Sequence, residues 1–306
     1  MGNLGGALVC AAFANLLMFM DQAGPLSERL AVVGFGALAA GLAGALGHLV
    51  SGSEPAIIAG TLALAVGAGL IHSSLPGLEM APRQALICFV ACAYVPQIGA
   101  QALPAAGIGA GCALAGAIVD SVVRRRVTGP WLRQSRETAT FPGLRFGLCY
   151  GLAAAAGLLL AGTLGAERPY WVTITTLVVM QPDRWASVSR AAQRFAGTMA
   201  GVVVAFGIAV LAGPLGGNAV LIAPILLLPF LWPLGFARNY AIGVALLSTW
   251  VLLLLDLAWG TPDAARTLFL PRLVDTALGC MLAVAGTAAA HVSLTRRSVQ
   301  SRSAAP

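Results

Sequence analysis

The chain has 306 residues, of which 58% are hydrophobic and 9% charged, with a formal net charge of +7 and a mean hydropathy of +0.87. That balance excludes a soluble globular domain, and it turns the positive charge into a question of membrane topology rather than of nucleic-acid binding. Apolar stretches of roughly 18 to 22 residues recur from end to end, each long enough to cross a hydrocarbon core of about 30 Å as a helix. The period-2 alternation of a membrane barrel is absent. The expectation is an all-α, polytopic integral membrane protein of about eleven transmembrane helices in two similar halves, five and then six, with membrane lipid as its surroundings.

The first half, residues 1–123, divides into spans near 3–20, 30–50, 55–72, 84–101 and 103–122. Its opening, MGNLGGALVC, carries no basic residue and reads neither as a signal-peptide n-region nor as a cytoplasmic anchor. In the second span Arg29, Val33, Gly36, Ala40 and Gly44 fall on one helical face, a stripe of small residues headed by a cation. His48 and His72 sit at span ends, where a solvated imidazole needs no special role. The six cysteines (Cys10, Cys88, Cys92, Cys112, Cys149, Cys280) all lie in apolar runs and read as packing residues. Cys88 and Cys92 have the spacing of metal ligands, yet no His or acidic partner accompanies them, so neither a metal nor a cofactor is expected.

A basic linker follows at 124–142, with Arg124, Arg125, Arg126, Arg133 and Arg136. The chain has no lysine, and its other arginine clusters are Arg184, Arg190 and Arg194, then Arg238, then Arg296, Arg297 and Arg302 in the tail 293–306. Placing all of them in the cytoplasm gives a self-consistent topology. Five spans before the linker put the N-terminus outside, and six after it return the tail to the cytoplasm.

The second half, 143–292, holds spans near 143–165, 169–182, 190–212, 218–236, 240–258 and 269–291. The first opens on a rail of Gly143, Gly147 and Gly151. In the third, Arg190, Arg194, Gly197, Gly201 and Ala205 share one face, the close-packing arrangement of GxxxG helices. Packing explains the glycines better than the arginines. Arg190 lies near the cytoplasmic end and can snorkel; Arg194, a turn deeper, either snorkels as well or faces an aqueous cavity and meets an anion. A bidentate guanidinium suits a carboxylate. Arg194 is therefore the candidate contact for an anionic substrate and Arg190 the group that concentrates anions at the mouth. Trp171 and Thr175, with Tyr170, offer a surface for a ring, although Tyr170 and Trp171 also suit an interfacial role. The Gln181-Pro182 break frees backbone groups beside them. Arg272 and Asp275, spaced i, i+3, are expected to pair with each other, and with Asp256 they are the candidates for ion coupling. No P-loop, HExxH or GxSxG is present, which leaves a transporter or channel rather than an ATP-driven pump or an enzyme.

The halves look like one unit used twice. SERLAVVGFGALAAG parallels SRAAQRFAGTMAG, and LPAAGIGAGCALA at 103 parallels LPRLVDTALGCMLA at 270, at offsets of about 161 and 167 residues. Transporters often arise by such duplication. If each unit has six spans, the first lacks the counterpart of 143–165; either the span was lost or the true start lies upstream of Met1.

The segment Glu167–Gly201 adds a resemblance. Its order of Tyr170, Trp171, Gln181, Pro182, Arg190, Arg194, Gly197, Thr198 and Gly201 resembles the central motif of the fusaric acid resistance protein-like family, with Arg272 and Gly279 as further matches. The resemblance implies an inner-membrane exporter of aromatic or related organic acids, often working with a periplasmic adaptor, and distantly similar to plant malate-transporting anion channels. The chain departs from the large exporters in lacking a soluble cytoplasmic domain. Three readings stand: a secondary exporter of small organic anions, aromatic carboxylates foremost, coupled to protons; an arginine-lined anion channel; or a membrane assembly subunit, in each case alone or as a homo-oligomer.

Overall fold

A computed structural model describes residues 25–74, 80–95, 100–124, 143–166, 168–215, 218–259 and 264–303. Every element among them is a helix: α1 (Leu26–Leu49), α2 (Glu54–Ser74), α3 (Met80–Tyr94), α4 (Ala102–Arg124), α5 (Gly143–Thr163), α6 (Tyr170–Val179), α7 (Arg184–Leu215), α8 (Asn218–Arg238), α9 (Tyr240–Trp259) and α10 (Ala264–Ser303). Eight of these are long and apolar enough to cross a membrane, while α3 and α6 are shorter. The expected span at 3–20, the linker and Cys10 lie outside the described residues. The other ten expected spans each find a helix, with α3 stopping at Tyr94 rather than near 101.

The helices are built inside out, as lipid requires. On α5, Leu144, Leu148, Leu152 and Leu159 are exposed while Phe146, Gly147, Tyr150 and Gly151 are buried. Large apolar side chains therefore face lipid, and small or aromatic ones meet other helices.

Contacts divide the chain into two units, residues 1–159 with 286–306, and residues 160–285. In the first, α1 packs on α3 and α4, and α2 packs on α3. The small-residue stripe of α1 is its buried face: Arg29, Val33, Gly36, Ala40 and Gly44 are all covered. The Arg29 guanidinium donates to Ser121 Oγ of α4 at 3.1 Å, so this cation is used in packing. The rail on α5 behaves likewise. A Cβ on Gly147 would come within 2.8 Å of the Val66 carbonyl on α2, and one on Gly151 within 2.7 Å of the Val66 side chain; the first unit thus takes α5, although the linker precedes that helix. His72 departs from its expected solvated state. It is buried, with its Nδ1 3.1 Å from Arg83 Nη2 and its ring edge-on to Phe146. Arg83 and Phe146 cover the ring, and the neighbouring arginine fixes Nδ1 as an acceptor.

In the second unit α7 packs on α9, and α8 on α9. The seam of α7 is the expected face: Gly197 would drive a Cβ into the Ala241 carbonyl and to 2.8 Å from Val244 Cβ, and Gly201 into Ala245 and Ser248 of the same helix. α8 contains Pro224, Pro229 and Pro233. Pro229 has no N–H for the carbonyl four residues before it, and that carbonyl, of Ile225, instead accepts from Trp250 Nε1 on α9 at 3.0 Å. The same order, first helix on third and second on third, thus recurs in α1–α3 and α7–α9.

Among the described cysteines none is in a disulfide; Cys88, Cys92 and Cys280 are buried, Cys149 is half-buried and Cys112 is exposed.

Candidate functional site

The second unit gathers the residues with the most chemistry. α6 has 10 residues, about 15 Å of helix at 1.5 Å per residue, half a hydrocarbon core. It ends where Met180 turns extended (ψ 122°), two residues ahead of Pro182, which has no N–H to donate to the Val178 carbonyl and disfavours helical backbone at Gln181. The chain then starts α7 with Asp183, whose carboxylate accepts from the Ala186 N–H at 2.6 Å in the manner of an N-cap. Ser187 closes the turn: its hydroxyl accepts from the Gln181 N–H at 2.8 Å and donates to the Gln181 carbonyl at 3.1 Å. The Gln181 amide donates to the Met180 carbonyl at 2.9 Å. The backbone groups that the sequence offered to a ligand at this break are therefore engaged within the turn.

Arginine burial decides between the two readings of Arg194. Arg194 is 5% exposed and Arg272 6%, so neither snorkels. On insertion scales a charged side chain near the bilayer centre costs about 2.5–3.5 kcal/mol, and such residues persist where something offsets that cost. The two positive charges act on one another, and Asp275 acts on Arg272 with the opposite sign. Instead of lying in a close ion pair, the Arg272 guanidinium stacks on the Trp171 ring at 3.7 Å from its centroid. Arg194 Nε and Arg272 Nη1 are buried and hydrogen-bond nothing, as are the hydroxyls of Thr175 and Thr198. Arg190 is half-buried, 5.3 Å from the centroid of the Tyr240 ring.

Trp171, Arg272 and Asp275 meet in a cavity of about 190 Å³, lined further by Arg168, Pro271 and the α9 residues Val251, Leu252 and Leu255. Thr175 lies one turn along α6 from Trp171, against Gly279, whose Cβ would fall 2.6 Å from Thr175 Cβ. Thr176 donates to the Gly279 carbonyl at 3.2 Å. These contacts lock α6 to α10 and fix the spacing of Trp171 to Arg272. Asp256 is half-buried and outside the lining, although its neighbour Leu255 is in it. Arg168 and Thr198 carried no role in the sequence reading. Arg168 lies beside the aromatic pair within the motif, and only the fold turns it toward Asp275.

Residues 150–286 match the family model described as fusaric acid resistance protein-like. That segment contains every residue of the site and the whole of the motif that carried the resemblance. Among known proteins the chain is 30% identical over 159 residues to the Inner membrane protein YccS of Escherichia coli, covering 50% of this chain and 20% of that one. It is 31% identical over 147 residues to the Uncharacterized membrane protein YvaC of Bacillus subtilis, covering 48% of this chain and 23% of the relative. The chain thus spans about a quarter or less of the length of these relatives. No solved structure matches. The helices and these relatives make it a multi-pass inner-membrane protein.

Proposed function

We propose that the protein exports small organic anions, aromatic carboxylates foremost, across the inner membrane. One observation carries the reading: Arg194 and Arg272 are buried cations in membrane-spanning helices, close enough to feel each other's charge, and each keeps a guanidinium nitrogen without a partner. Two like charges held this way raise the local potential for an anion and leave donors aimed at its oxygens. Arg194 contacts the carboxylate on its way in, Arg190 draws anions to the cytoplasmic mouth, and Trp171, with Arg272 over one face of its ring, is part of the wall beside which a ring lies. Asp275 and Asp256 are the acids through which outward movement couples to protons.

The test is efflux of a panel of aromatic and aliphatic carboxylates from cells with and without the protein. The expected result is lower accumulation of aromatic acids, lost on adding an uncoupler. Flux that only follows the anion gradient would make the protein a channel. Identical accumulation of every acid in both strains would leave it an assembly subunit.

A further inference from the structure

The charged groups around the cavity are Arg168 and Arg272 against Asp275, all from the second unit. Asp275 is 7% exposed, and both arginines act on it electrostatically. A buried carboxylate on the wall of an anion site works against anion binding, so its presence calls for a reason. Asp275 offsets part of the positive charge of the lining, while Arg194, outside it, acts on Arg272 as a like charge. A second carboxylate on the ligand would meet Asp275 in a setting where like charges repel strongly. Size points to the same class. A cavity of about 150 Å³ lined by apolar side chains holds a benzene ring, and this one is about 190 Å³, with Trp171, Val251, Leu252 and Leu255 as its apolar part and Arg272, stacked on Trp171, beside them.

We propose that Asp275 makes this cavity select by charge, admitting a monoanion the size of one six-membered ring and turning away dianions. This rests on the anion-transport reading for its physiological meaning but not for its chemistry, because the selection is a property of binding. Arg272 Nη1, buried and unpartnered, supplies the donor that meets the single carboxylate. Asp275 is then a specificity residue: it touches the ligand little and acts by what it excludes.

The test uses the full chain purified in detergent, with benzoate and terephthalate as probes, the same ring bearing one and two carboxylates. Titration calorimetry should give tighter binding of benzoate, by about tenfold or more, since one extra like-charge contact at low dielectric is worth at least that. In Asp275→Asn the preference should shrink by a similar factor or invert, with terephthalate gaining affinity; a purely structural carboxylate would weaken both acids together. Asp275→Glu should restore the preference for benzoate. Should Asp275→Asn not fold, Arg168→Gln, at a half-buried lining position, is expected to weaken both acids and terephthalate more steeply. An unchanged benzoate-to-terephthalate ratio in the folded variants, or no binding of either acid by the parent, would overturn the proposal. Efflux failing while the ratio behaves as stated would sink only the transport reading.

Discussion

A guanidinium stays protonated at any accessible pH, so an arginine buried in a membrane helix must be met by packing, rings, dipoles or an anion. The chain uses these options differently at each position. Arg29 donates to Ser121, Arg190 lies over Tyr240 and Arg272 on Trp171, while Arg194 keeps Nε without a partner. Arg194 therefore has the most to gain from a ligand. Arg194→Lys keeps the charge but loses the fork, and a charged hydrogen bond is worth about 1.5–3 kcal/mol. Export measured at matched membrane levels should fall on the order of tenfold or more in Arg194→Lys. Arg190→Lys, still able to approach the Tyr240 ring, should lose much less. Arg194→Ala exporting like the parent would remove Arg194 from the path. Both arginines were legible from the sequence by their spacing on one face. Their burial was not, because the sequence does not say which neighbour covers a helix end. The pairing expected for Arg272 with Asp275 also looked along one helix only, whereas the Trp171 ring that Arg272 covers comes from another.

At the scale of elements, glycine marks where helices touch, but only some glycines do this. Gly197 and Gly207 sit on the same helix in the same apolar setting, yet a Cβ at Gly197 meets the Ala241 carbonyl and Val244, while one at Gly207 meets nothing within 4 Å. Gly207→Ala should thus be neutral or stabilising by up to about 1 kcal/mol through helix propensity. Gly197→Ala should destabilise by about 1–3 kcal/mol through overpacking, and Gly197→Leu should block assembly of the α7–α9 seam. Thermal unfolding of the three variants in one detergent tests the contrast, and equal midpoints for the two alanine variants would refute it. A second check sits on α8. Trp250→Phe keeps the ring but leaves the Ile225 carbonyl, already orphaned by Pro229, without its 3.0 Å donor. The expected loss is about 1–3 kcal/mol, and an unshifted midpoint would mean that another donor satisfies that carbonyl. The stripes of α1, α5 and α7 were readable because helical spacing alone places their glycines together. The proline-to-tryptophan bond was not, since Pro229 and Trp250 lie on different helices and no local pattern joins them.

For the whole molecule the question is how many times the chain crosses. Helix directions within each unit bear on it. In the second unit α6 runs parallel to α10, because Trp171 meets Arg272 while Thr175 and Thr176 meet Gly279. There α7 runs parallel to α9, because Gly197 meets Ala241 and Gly201 meets Ala245. In the first unit α1 is antiparallel to α4, with Arg29 at Ser121 and Gly41 at Ala106. Strict alternation of crossings gives these relations, provided that α6 crosses despite its 10 residues. Span count and arginine placement agreed on this in the sequence, and the shortness of α6 showed there only in part: the expected span 169–182 already falls short of the others, and the helix stops earlier still, at Val179. The decisive prediction is that the linker and the tail share one side, the cytoplasm. Single cysteines at Ser135 and Ser298, in protein without its native cysteines, should resist an impermeant thiol reagent in intact spheroplasts and react once the membrane is opened. Ser135 lies outside the described residues, and Ser298 follows the apolar window Leu270–His291 on α10. If α6 only dips in and returns, five crossings separate the two positions and one of them must react from outside. Reaction at both would invert the whole topology, moving the arginine clusters out of the cytoplasm against the charge asymmetry that orients membrane helices.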